Sequence, residues 1–458
     1  MIEFLEGLTS QLIGVAEWLM LIFVIGGGIF LMFYSRFTPY RYFKHALQIT
    51  AGKYDHKGDP GDVSHYQALA AAVAATVGLG NISGVAIAIH HGGPGVVFWM
   101  WMTALIGMCI KFYSCGLAVM FRSTDPDGGV LGGPMYYMVN GMGKYGKPLA
   151  VVFSVAGLIG VLPAFTTNQL TETLIAVVQP DQNIAAIGEF GWRAIIGVTL
   201  VVITSLVIFG GLKNIAKASA SLVPWMVALY LLAAVLIIVT NFDQILPSLK
   251  LIFTEAFNLN TMVQGGLWGM ILLGIRRAVF SSESGVGNAP MYHGQSKTNE
   301  PTQEGLVAML GPFIDTIIIC TITALIIIVS GVYLETESNG IALTLMAFEK
   351  SLFGWGAEFL MVLVVVFAIS TLFTYSYYGT KCLAFLSNSK KIGGYYNYIY
   401  IISIIFAAIA SLDLVINMID LAFAVMSIPN MIAVLYLAPH LNASMKAYFT
   451  KTTHEQAA

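Results

Sequence analysis

One stretch of the chain gathers small and polar residues where the surrounding sequence is apolar. Between Ala75 and Gly84 it carries three glycines, a threonine, an asparagine and a serine. Irregular backbone at membrane depth is tolerated only where protein or a water-filled cavity supplies hydrogen-bond partners. Interrupted helices of this kind are typical of transporter binding sites. We therefore predict that this stretch contacts a solute that the protein moves.

The chemistry available at such a break suits a small zwitterion together with a hard cation. An unwound helix exposes N–H groups that favour a carboxylate at the start of one half-helix, and C=O groups that favour a cation at the end of the other. Sodium, like other hard cations, prefers oxygen ligands. Thr76 and Asn81 supply side-chain oxygens at this position.

A second pair of hydroxyls lies in the middle of another apolar run. Ser370 and Thr371 are adjacent there, and they are candidates to complete an oxygen cage with carbonyls near Ala74 and Val77. The alternative is that both hydroxyls bond back to their own helix.

Several apolar runs carry ionisable residues, which are functional candidates because burying them unpaired is costly. Asp315 is a candidate to bind the cation, to carry a proton or to pair with Arg276 or Arg277. Glu172 either reaches the cavity or contacts water at the outer end of its run. Lys111 lies roughly three turns from the inner end of its run, so we expect that span to end early and the ammonium to snorkel.

Composition places these residues in a membrane protein. Of the 458 residues, 57% are hydrophobic and only 10% are charged, against about 25% in soluble domains. Apolar runs of about 20 residues cross a bilayer as helices, whereas barrel strands read as short alternating segments. The net charge of −2 and the lack of basic clusters exclude a nucleic-acid partner. Four cysteines without metal-type spacing are expected to be small buried hydrophobes: Cys109, Cys115, Cys320 and Cys382.

The apolar runs predict an all-α polytopic protein with about eleven transmembrane helices. Polar loops containing glycine and proline separate the runs. The spans are expected near residues 14–34, 66–90, 95–121, 148–178, 192–211, 219–240, 264–285, 305–331, 356–386, 395–411 and 417–438.

Lysine and arginine set the expected orientation. They concentrate in the loops after odd-numbered spans and in the C-terminal tail, whereas the opposite side holds only Arg193, Lys250 and Lys350. Because cytoplasmic loops carry the excess of basic residues, we expect the N-terminus outside and the C-terminus in the cytoplasm, in the cytoplasmic (inner) membrane. The acidic start of the chain lacks the basic region of a cleaved signal, so we expect the first span to be retained.

The seventh span, at Gly265–Arg277, is also interrupted by glycines. Spans two to six and seven to eleven then form two groups of five, and each group begins with an interrupted helix. Because five is an odd number, the two groups cross the membrane in opposite directions. The alternative is that these glycines only allow close helix packing. The predicted units are an extra helix and cytoplasmic loop at 1–60, repeats at 61–245 and 246–440, and a cytoplasmic tail at 441–458.

Motifs of enzymes and of ATP-driven pumps are missing. The sequence contains no phosphate-binding P-loop, no HExxH and no GxSxG. We therefore expect an ion gradient to drive transport without covalent chemistry. An ion channel is a rival hypothesis, although simple filters come from symmetric subunits or rings and not from two unlike halves. A membrane enzyme is a third, with no catalytic constellation in its favour.

Several sequence blocks resemble the alanine or glycine:cation symporters, also called sodium:alanine symporters. The blocks are Gly92–Trp101, Arg276–Gly285, Gly287–Pro290, Gly305–Thr316, Tyr375–Gly379 and Ser427–Asn430. The resemblance implies a LeuT-like core of ten helices after one extra N-terminal helix. It also implies sodium-coupled uptake of alanine or glycine, with protons as the coupling ion in some members. Where many members carry Gly-Asn-Met-Val-Gln, this chain has Phe165–Gln169, so its substrate range is an open question.

The residues from Val77 to Asn81 also look like the unwound first core helix of the neurotransmitter:sodium symporters. By that similarity Thr76 and Asn81 fall at first sodium-site positions, and a second site takes Ala74, Val77, Ser370 and Thr371. Asp315 joins the expected sodium ligands. The amino acid is expected to contact residues of the two interrupted helices and one of the fourth span, namely Thr76, Gly78, Gly80, Asn81, Gln169, Trp268 and Gly274.

The expected partners are a small neutral amino acid, sodium and the lipid bilayer. Sodium is expected as the coupling ion, and no other cofactor is expected. The sequence predicts no oligomeric state.

Overall fold

The structure is a computed structural model, and it describes residues 14–457 except 15, 17, 57, 126–127, 179–183, 259–265, 336 and 353. Gly265, where the second expected break begins, lies outside the described residues. The described chain is almost entirely helical. One short hairpin joins β1 (Ser123–Thr124) to β2 (Val130–Leu131) in antiparallel pairing.

An apolar helix and a first set of helices make up the N-terminal half of the described chain. The helix α1 (Trp18–Tyr34) contains a π-helical turn at Ile22–Gly26. The following helices are α2 (Thr38–Arg41), α3 (Phe43–Thr50), α4 (His65–Thr76), α5 (Leu79–Gly92), α6 (Val96–Met120), α7 (Pro134–Met142), α8 (Gly146–Gly160), α9 (Ala164–Val178), α10 (Ile184–Ile208), α11 (Gly211–Thr240) and α12 (Phe242–Glu255).

A second set of helices completes the chain. Its members are α13 (Gly266–Ser282), α14 (Pro290–His293), α15 (Pro301–Ala308), α16 (Leu310–Pro312), α17 (Thr321–Ser330), α18 (Gly340–Ser351), α19 (Gly356–Ser387), α20 (Lys390–Gly394), α21 (Tyr396–Ile409) and α22 (Leu412–Ala457). A π-helical stretch, Phe313–Cys320, joins α16 to α17. Short 3₁₀ turns occur at Gly143–Tyr145 and Val332–Leu334.

Long apolar helices confirm the prediction of a multi-pass all-α protein. Among the described residues, eight helices are long and apolar enough to cross a membrane, or nine when the bent pair α4–α5 counts as one span. The other two expected spans coincide with α1 and α13, which are shorter.

Burial separates the core helices from the peripheral ones. In the apolar window of Val96–Met120, 67% of residues are buried inside the protein, against 22% for Phe190–Ile208 and 28% for Gly211–Ile237. Large apolar side chains such as Leu206 and Val239 project outward from these peripheral helices. In a membrane such surfaces face lipid, which is as apolar as they are. The helices with small and polar residues occupy the interior.

The second interruption does not lie where the glycine pattern predicted it. The helix α13 is continuous from Gly266 to Ser282, and the break follows it at residues 283–289. A Cβ on Gly274 would lie 2.7 Å from the Trp99 Cβ and 2.9 Å from the Val96 oxygen. The glycine therefore lets two helices approach closely, which was the alternative interpretation. The break is made instead by left-handed backbone at Glu283, Gly285 and Gly287.

Loops that follow the odd-numbered spans meet on one face of the molecule. Arg122 donates hydrogen bonds to the oxygens of Pro60, Ser296 and Thr298. The Tyr66 hydroxyl similarly bonds the Ala220 oxygen. We call this surface the basic face, formed by residues 35–56, 58–64, 121–125, 128–147, 209–220, 293–300 and 388–391.

Lys111 lies in the protein interior, contrary to the expectation that it snorkels from an early span end. The helix α6 continues to Met120, and Lys111 is 2% exposed. Its ammonium nitrogen lies 3.3 Å from the position of a Cβ on Gly311. The buried carboxylates of Glu283 and Asp315 act on it electrostatically and offset part of the cost of burying an ammonium group. The four cysteines are buried and unpaired, as expected.

Candidate functional site

The first interrupted helix unwinds over two residues. Helix α4 ends at Thr76, the backbone of Val77 and Gly78 is extended, and α5 continues at an angle of 41° to α4. The Asn81 Oδ1 accepts a hydrogen bond from the Gly78 N–H over 3.1 Å. Helix starts leave backbone N–H groups without intrahelical partners, and this side chain satisfies one of them. Asn81 therefore holds the shape of the break.

A small closed cavity lies against this break. Its volume is about 30 Å³, which is room for about two water molecules. The residues that line it come from α4, α5, α9, α13, α19, α22 and the segments beside them: Ala75, Thr76, Gly78, Leu79, Gly80, Leu162, Phe165, Thr166, Phe280, Thr371, Tyr375 and Ile419. Of the expected substrate contacts, the structure therefore brings Thr76, Gly78 and Gly80 together.

The glycines of the first break are required by close neighbours. A Cβ on Gly78 would lie 2.7 Å from the Thr371 hydroxyl oxygen, and a Cβ on Gly80 would lie 3.3 Å from the Phe280 ring. Any side chain at either position would fill space that belongs to the cavity or to its wall.

One set of oxygens lies between α4 and α19. The Thr371 hydroxyl donates to the Ala74 oxygen over 3.1 Å and also contacts the Phe367 oxygen at 3.1 Å. The Ser370 hydroxyl lies 2.8 Å from the Phe367 oxygen and 3.4 Å from the Ala74 oxygen. Both hydroxyls thus bond back to their own helix, and both also face the Ala74 oxygen of α4. The oxygen cage for a cation stays a prediction. Val77 follows as the first non-helical residue after α4.

A second set of oxygens surrounds Asp315 in the π-helical stretch. Ser281 donates to the Asp315 Oδ1 over 2.6 Å, and Thr316 donates to the same oxygen over 2.9 Å. The other carboxylate oxygen is buried without a hydrogen-bond partner among the described residues. The Asn81 amide donates to the Asp315 backbone oxygen over 3.1 Å. A π-helical turn often marks a functional position, and this one connects the carboxylate to the first break.

Two contacts close the cavity on the side opposite the basic face. Arg277 pairs with Asp420 over 2.9 Å, and its guanidinium lies 5.4 Å from the centre of the Phe280 ring. Phe165 packs edge-on against Phe280 with ring centres 5.1 Å apart. Arg277 therefore pairs with Asp420 and not with Asp315, one of the alternatives left by the sequence.

An open vestibule of about 1070 Å³ lies at the C-terminal end of α5 and along α13. His90, Glu255 and Arg276 are among the residues that line it. The vestibule and the small cavity share no lining residue among the described residues, so they are two separate spaces.

Some residues singled out in the sequence lie away from the cavity. Trp268 is 73% exposed, and Gly274 packs against α6. Gln169 accepts a hydrogen bond from Ser83 over 2.5 Å and donates to Asn168. Glu172 pairs with Arg193, and its side chain is 41% exposed, in agreement with the outer-end alternative.

The sequence reasoning missed four residues of this region as site residues: Phe165, Phe280, Ser281 and Tyr375. The signal available for two of them, Phe280 and Ser281, was their position a few residues before Gly285 and Gly287, since closely spaced glycines indicate left-handed backbone. Glu283 accepts a hydrogen bond from Tyr375 across this break. Phe165 stands at the start of the Phe165–Gln169 departure from the family pattern, but nothing in that pattern marks it as a wall of the cavity.

Two interrupted helices that meet at a small cavity are typical of a secondary transporter with a LeuT-like fold. The chain belongs to the sodium:alanine symporter family, whose model matches residues 3–458. It is therefore a multi-pass membrane protein of the amino-acid symporter class and not an enzyme.

Individual relatives agree with this assignment. The chain is 37% identical over 435 residues to the sodium/alanine symporter AgcS of Methanococcus maripaludis, with 94% of each chain covered. It is 32% identical to the probable sodium/glutamine symporter GlnT of Bacillus subtilis, covering 97% of this chain and 91% of the relative. The crystal structure of MhsT in complex with L-phenylalanine matches 82% of this chain and 89% of its own with a TM-score of 0.59. At 15% identity that likeness shows the fold alone.

Proposed function

We propose that the protein imports a small neutral amino acid, alanine or glycine, together with sodium by alternating access. The observation that supports this most is the closed cavity of about 30 Å³ against the unwound residues of the first break. The AgcS relative is a sodium/alanine symporter by name. Glutamine, named for the GlnT relative, is the competing substrate, and the small cavity favours a shorter side chain.

The amino acid would bind where α5 begins. Backbone N–H groups at a helix start favour a carboxylate, and Gly78 and Gly80 admit a ligand close to the backbone. Thr76 would supply a hydroxyl beside them, and Asn81 would hold the break in shape from behind. Phe165 and Phe280 would cover the ligand. Gln169, Trp268 and Gly274 lie away from the cavity, so they would not contact the substrate directly.

Sodium would bind as a transported ion between α4 and α19. The backbone oxygens of Ala74 and Val77 and the hydroxyls of Ser370 and Thr371 would form an all-oxygen donor set, which suits a hard cation. A second cation position would use Thr76, Asn81 and Asp315. Support for it comes from the unpartnered carboxylate oxygen of Asp315.

The basic face would lie in the cytoplasm of a cell with this protein in its cytoplasmic membrane. The distribution of lysine and arginine supports that orientation, which puts the N-terminus outside and the vestibule toward the exterior. The repeats at 61–245 and 246–440 would then move against each other around the cavity between them.

Coupling to protons is the second candidate. It is favoured by the same Asp315 oxygen, because a carboxylate without a partner can hold a proton in place of a cation. A channel is disfavoured, since Arg277 and Asp420 close the cavity on one side and the Val63–Ser296 backbone bridge lies toward the other.

Equilibrium binding tests the proposal without the complication of turnover. Radiolabelled alanine is bound to purified protein in sodium and in potassium buffers, with unlabelled glycine, glutamine and phenylalanine as competitors. We expect sodium to raise the affinity for alanine and glycine to compete best. Equal affinity in the two salts would rule out sodium at this site, and stronger competition by glutamine would reassign the substrate.

A further inference from the structure

A buried cluster of three ionisable side chains lies at the basic face, outside the site described above. Glu304 in α15 receives one imidazole on each carboxylate oxygen. His65, the first residue of α4, contacts Oε2, and His293, the last residue of α14, contacts Oε1 at 2.5 Å. His65 and His293 are each 1% exposed, and Glu304 is fully buried.

The cluster connects the ends of two half-helices that adjoin the unwound segments. Helices α4 and α14 are the two half-helices that run from the unwound segments to the basic face. Both end on the same carboxylate. Any motion that opened the cavity toward the basic face by separating these half-helices would also pull at least one histidine from Glu304.

Backbone hydrogen bonds also join the segments around Val63 and Ser296, next to the cluster. Val63 and Ser296 form a parallel bridge, in which the Asp62 N–H donates to the Gln295 oxygen over 2.8 Å and the Lys297 N–H donates to the Val63 oxygen over 2.8 Å. Arg122 spans the seam through the oxygens of residues on both sides of it. The cluster and the bridge therefore belong to one closure.

The hydrogen bonds determine where protons must be. An ionised carboxylate only accepts, so each histidine presents an N–H at Nδ1 to Glu304. The buried negative charge is costly unless a positive charge compensates it. One protonated imidazole supplies that charge.

His65 is the better placed of the two to carry the proton. Its Nε2 is buried without a hydrogen-bond partner among the described residues, and the nearest Asp55 carboxylate oxygen lies 3.9 Å away. A neutral ring would turn a bare lone pair toward that carboxylate, whereas a protonated ring turns an N–H toward it. The protonated form therefore fits this environment.

Other groups act on the cluster from the elements packed around it. Asp55 and Asp59 face it from the loop before α4, Cys115 from α6, and Arg122 from the segment after α6. The neighbouring His45 on α3 bonds the Tyr448 hydroxyl instead, over 2.7 Å. The acidic residues support a proton on His65, and Arg122 helps to keep Glu304 ionised.

We propose that His65, His293 and Glu304 form a proton-binding site that holds the basic face closed, so that opening this face releases a proton. The inference rests on the proposed alternating access. In the closed state Glu304 raises the proton affinity of His65, whereas in an open, hydrated state the ring returns to ordinary histidine behaviour. Stabilisation of the closed state is therefore fully present in acid and is lost as the pH rises. Acid on the side of the basic face would slow opening.

Hydrogen–deuterium exchange of the bridge amides tests this site directly. Peptides covering 60–66 and 293–300 are followed in purified protein at pH 6 and pH 8, without sodium or amino acid, and rates are corrected for intrinsic exchange. We expect protection of these amides to be about tenfold higher at pH 6, as linkage of one proton allows. Equal protection at the two pH values in the unmodified protein would overturn the proposal.

Variants assign the effect to the cluster. In His65→Gln/His293→Gln we expect equal protection at both pH values, and Glu304→Gln should lose the response as well. The matched control is His45→Gln, which should keep the full response because His45 lies outside the cluster. A pH response that persists in the double histidine variant contradicts the proposal, and so does its loss in His45→Gln. If a variant fails to fold, the pH comparison in unmodified protein still decides.

The result is independent of the proposed cargo. If hydrogen–deuterium exchange depends on pH but no sodium-coupled alanine uptake is found, the proton site stands and the proposed substrate and coupling ion are wrong. Sodium-coupled uptake with a flat exchange response would discard only the proton site.

Discussion

The Thr371 hydroxyl donates a hydrogen bond to the Ala74 backbone oxygen over 3.1 Å, joining α19 to the last turn of α4. This contact joins the two repeats that the sequence predicts, directly beside the unwound residues of the first break. It links a candidate cation ligand to the helix whose last residues line the amino-acid cavity.

Removing that hydroxyl should weaken sodium dependence. Thr371→Val keeps the shape and deletes one oxygen donor, so we expect the sodium concentration for half-maximal uptake to rise roughly tenfold, equivalent to about 1.4 kcal/mol. Sodium titration of alanine uptake measures it. Thr374→Val is the matched control, since among the described residues the Thr374 hydroxyl bonds only oxygens of its own helix. A similar shift in both variants would show that the effect is structural.

A methyl group at Gly78 should block the cavity. The added Cβ would lie 2.7 Å from the Thr371 hydroxyl oxygen. Because Thr371 is β-branched, its side chain cannot easily rotate away. We expect Gly78→Ala to fold normally and to lose at least about 90% of alanine binding, roughly 1.4 kcal/mol or more. Gly84→Ala is the control, because nothing lies within 4 Å of its added Cβ. Normal binding by Gly78→Ala would place the substrate elsewhere.

Asp315→Asn should show how much the negative charge of Asp315, apart from its hydrogen bonds, contributes to sodium binding. In Asp315→Asn the amide oxygen can still accept from Ser281 and Thr316, while the negative charge is lost. We expect sodium affinity in equilibrium binding to fall about tenfold. Thr316→Ala, which loses one hydrogen bond and no charge, should shift sodium affinity far less. Unchanged sodium affinity in Asp315→Asn would remove Asp315 from the cation ligands.

Phe165 and Phe280, which would cover the ligand, should limit the size of the substrate side chain that the protein accepts. Phe165→Ala enlarges the cavity by most of a ring, so uptake of valine relative to alanine should increase by about tenfold. Phe423→Ala is a suitable control because Phe423 also packs on Phe280, with ring centres 6.0 Å apart, but does not line the cavity. Competition assays with the two amino acids compare the variants. An unchanged preference in Phe165→Ala would contradict a lid role for Phe165.

The fold class and the first break were predictable because their signals are local. Long apolar runs predict spanning helices, and polar residues among the glycines at Gly78 and Gly80 mark a helix that needs partners at membrane depth. The sequence also predicted that the hydroxyls of Ser370 and Thr371 lie near the Ala74 carbonyl. That prediction rested on the position of the hydroxyls in the middle of a span and on family resemblance.

The second break was wrongly placed because glycine has two uses in a membrane helix. Gly274 has a close neighbour and helical backbone, whereas Gly285 and Gly287 have left-handed backbone. Sequence alone does not distinguish a packing glycine from an unwinding one. Trp268 and Gly274 were assigned to the substrate because of that error in position.

Long-range pairs were beyond a single sequence for a different reason. Arg277 meets Asp420 across 143 positions, and His65 meets Glu304 across 239. Neither pairing has a local pattern, since the partners are set by tertiary packing. The same holds for Lys111, whose burial depends on carboxylates supplied by other helices.

Uptake of radiolabelled alanine into proteoliposomes tests the central claim most directly. The account predicts that an inward sodium gradient drives alanine above its equilibrium distribution, whereas an equal potassium gradient gives only slow equilibration. Equal uptake under the two gradients would contradict sodium coupling.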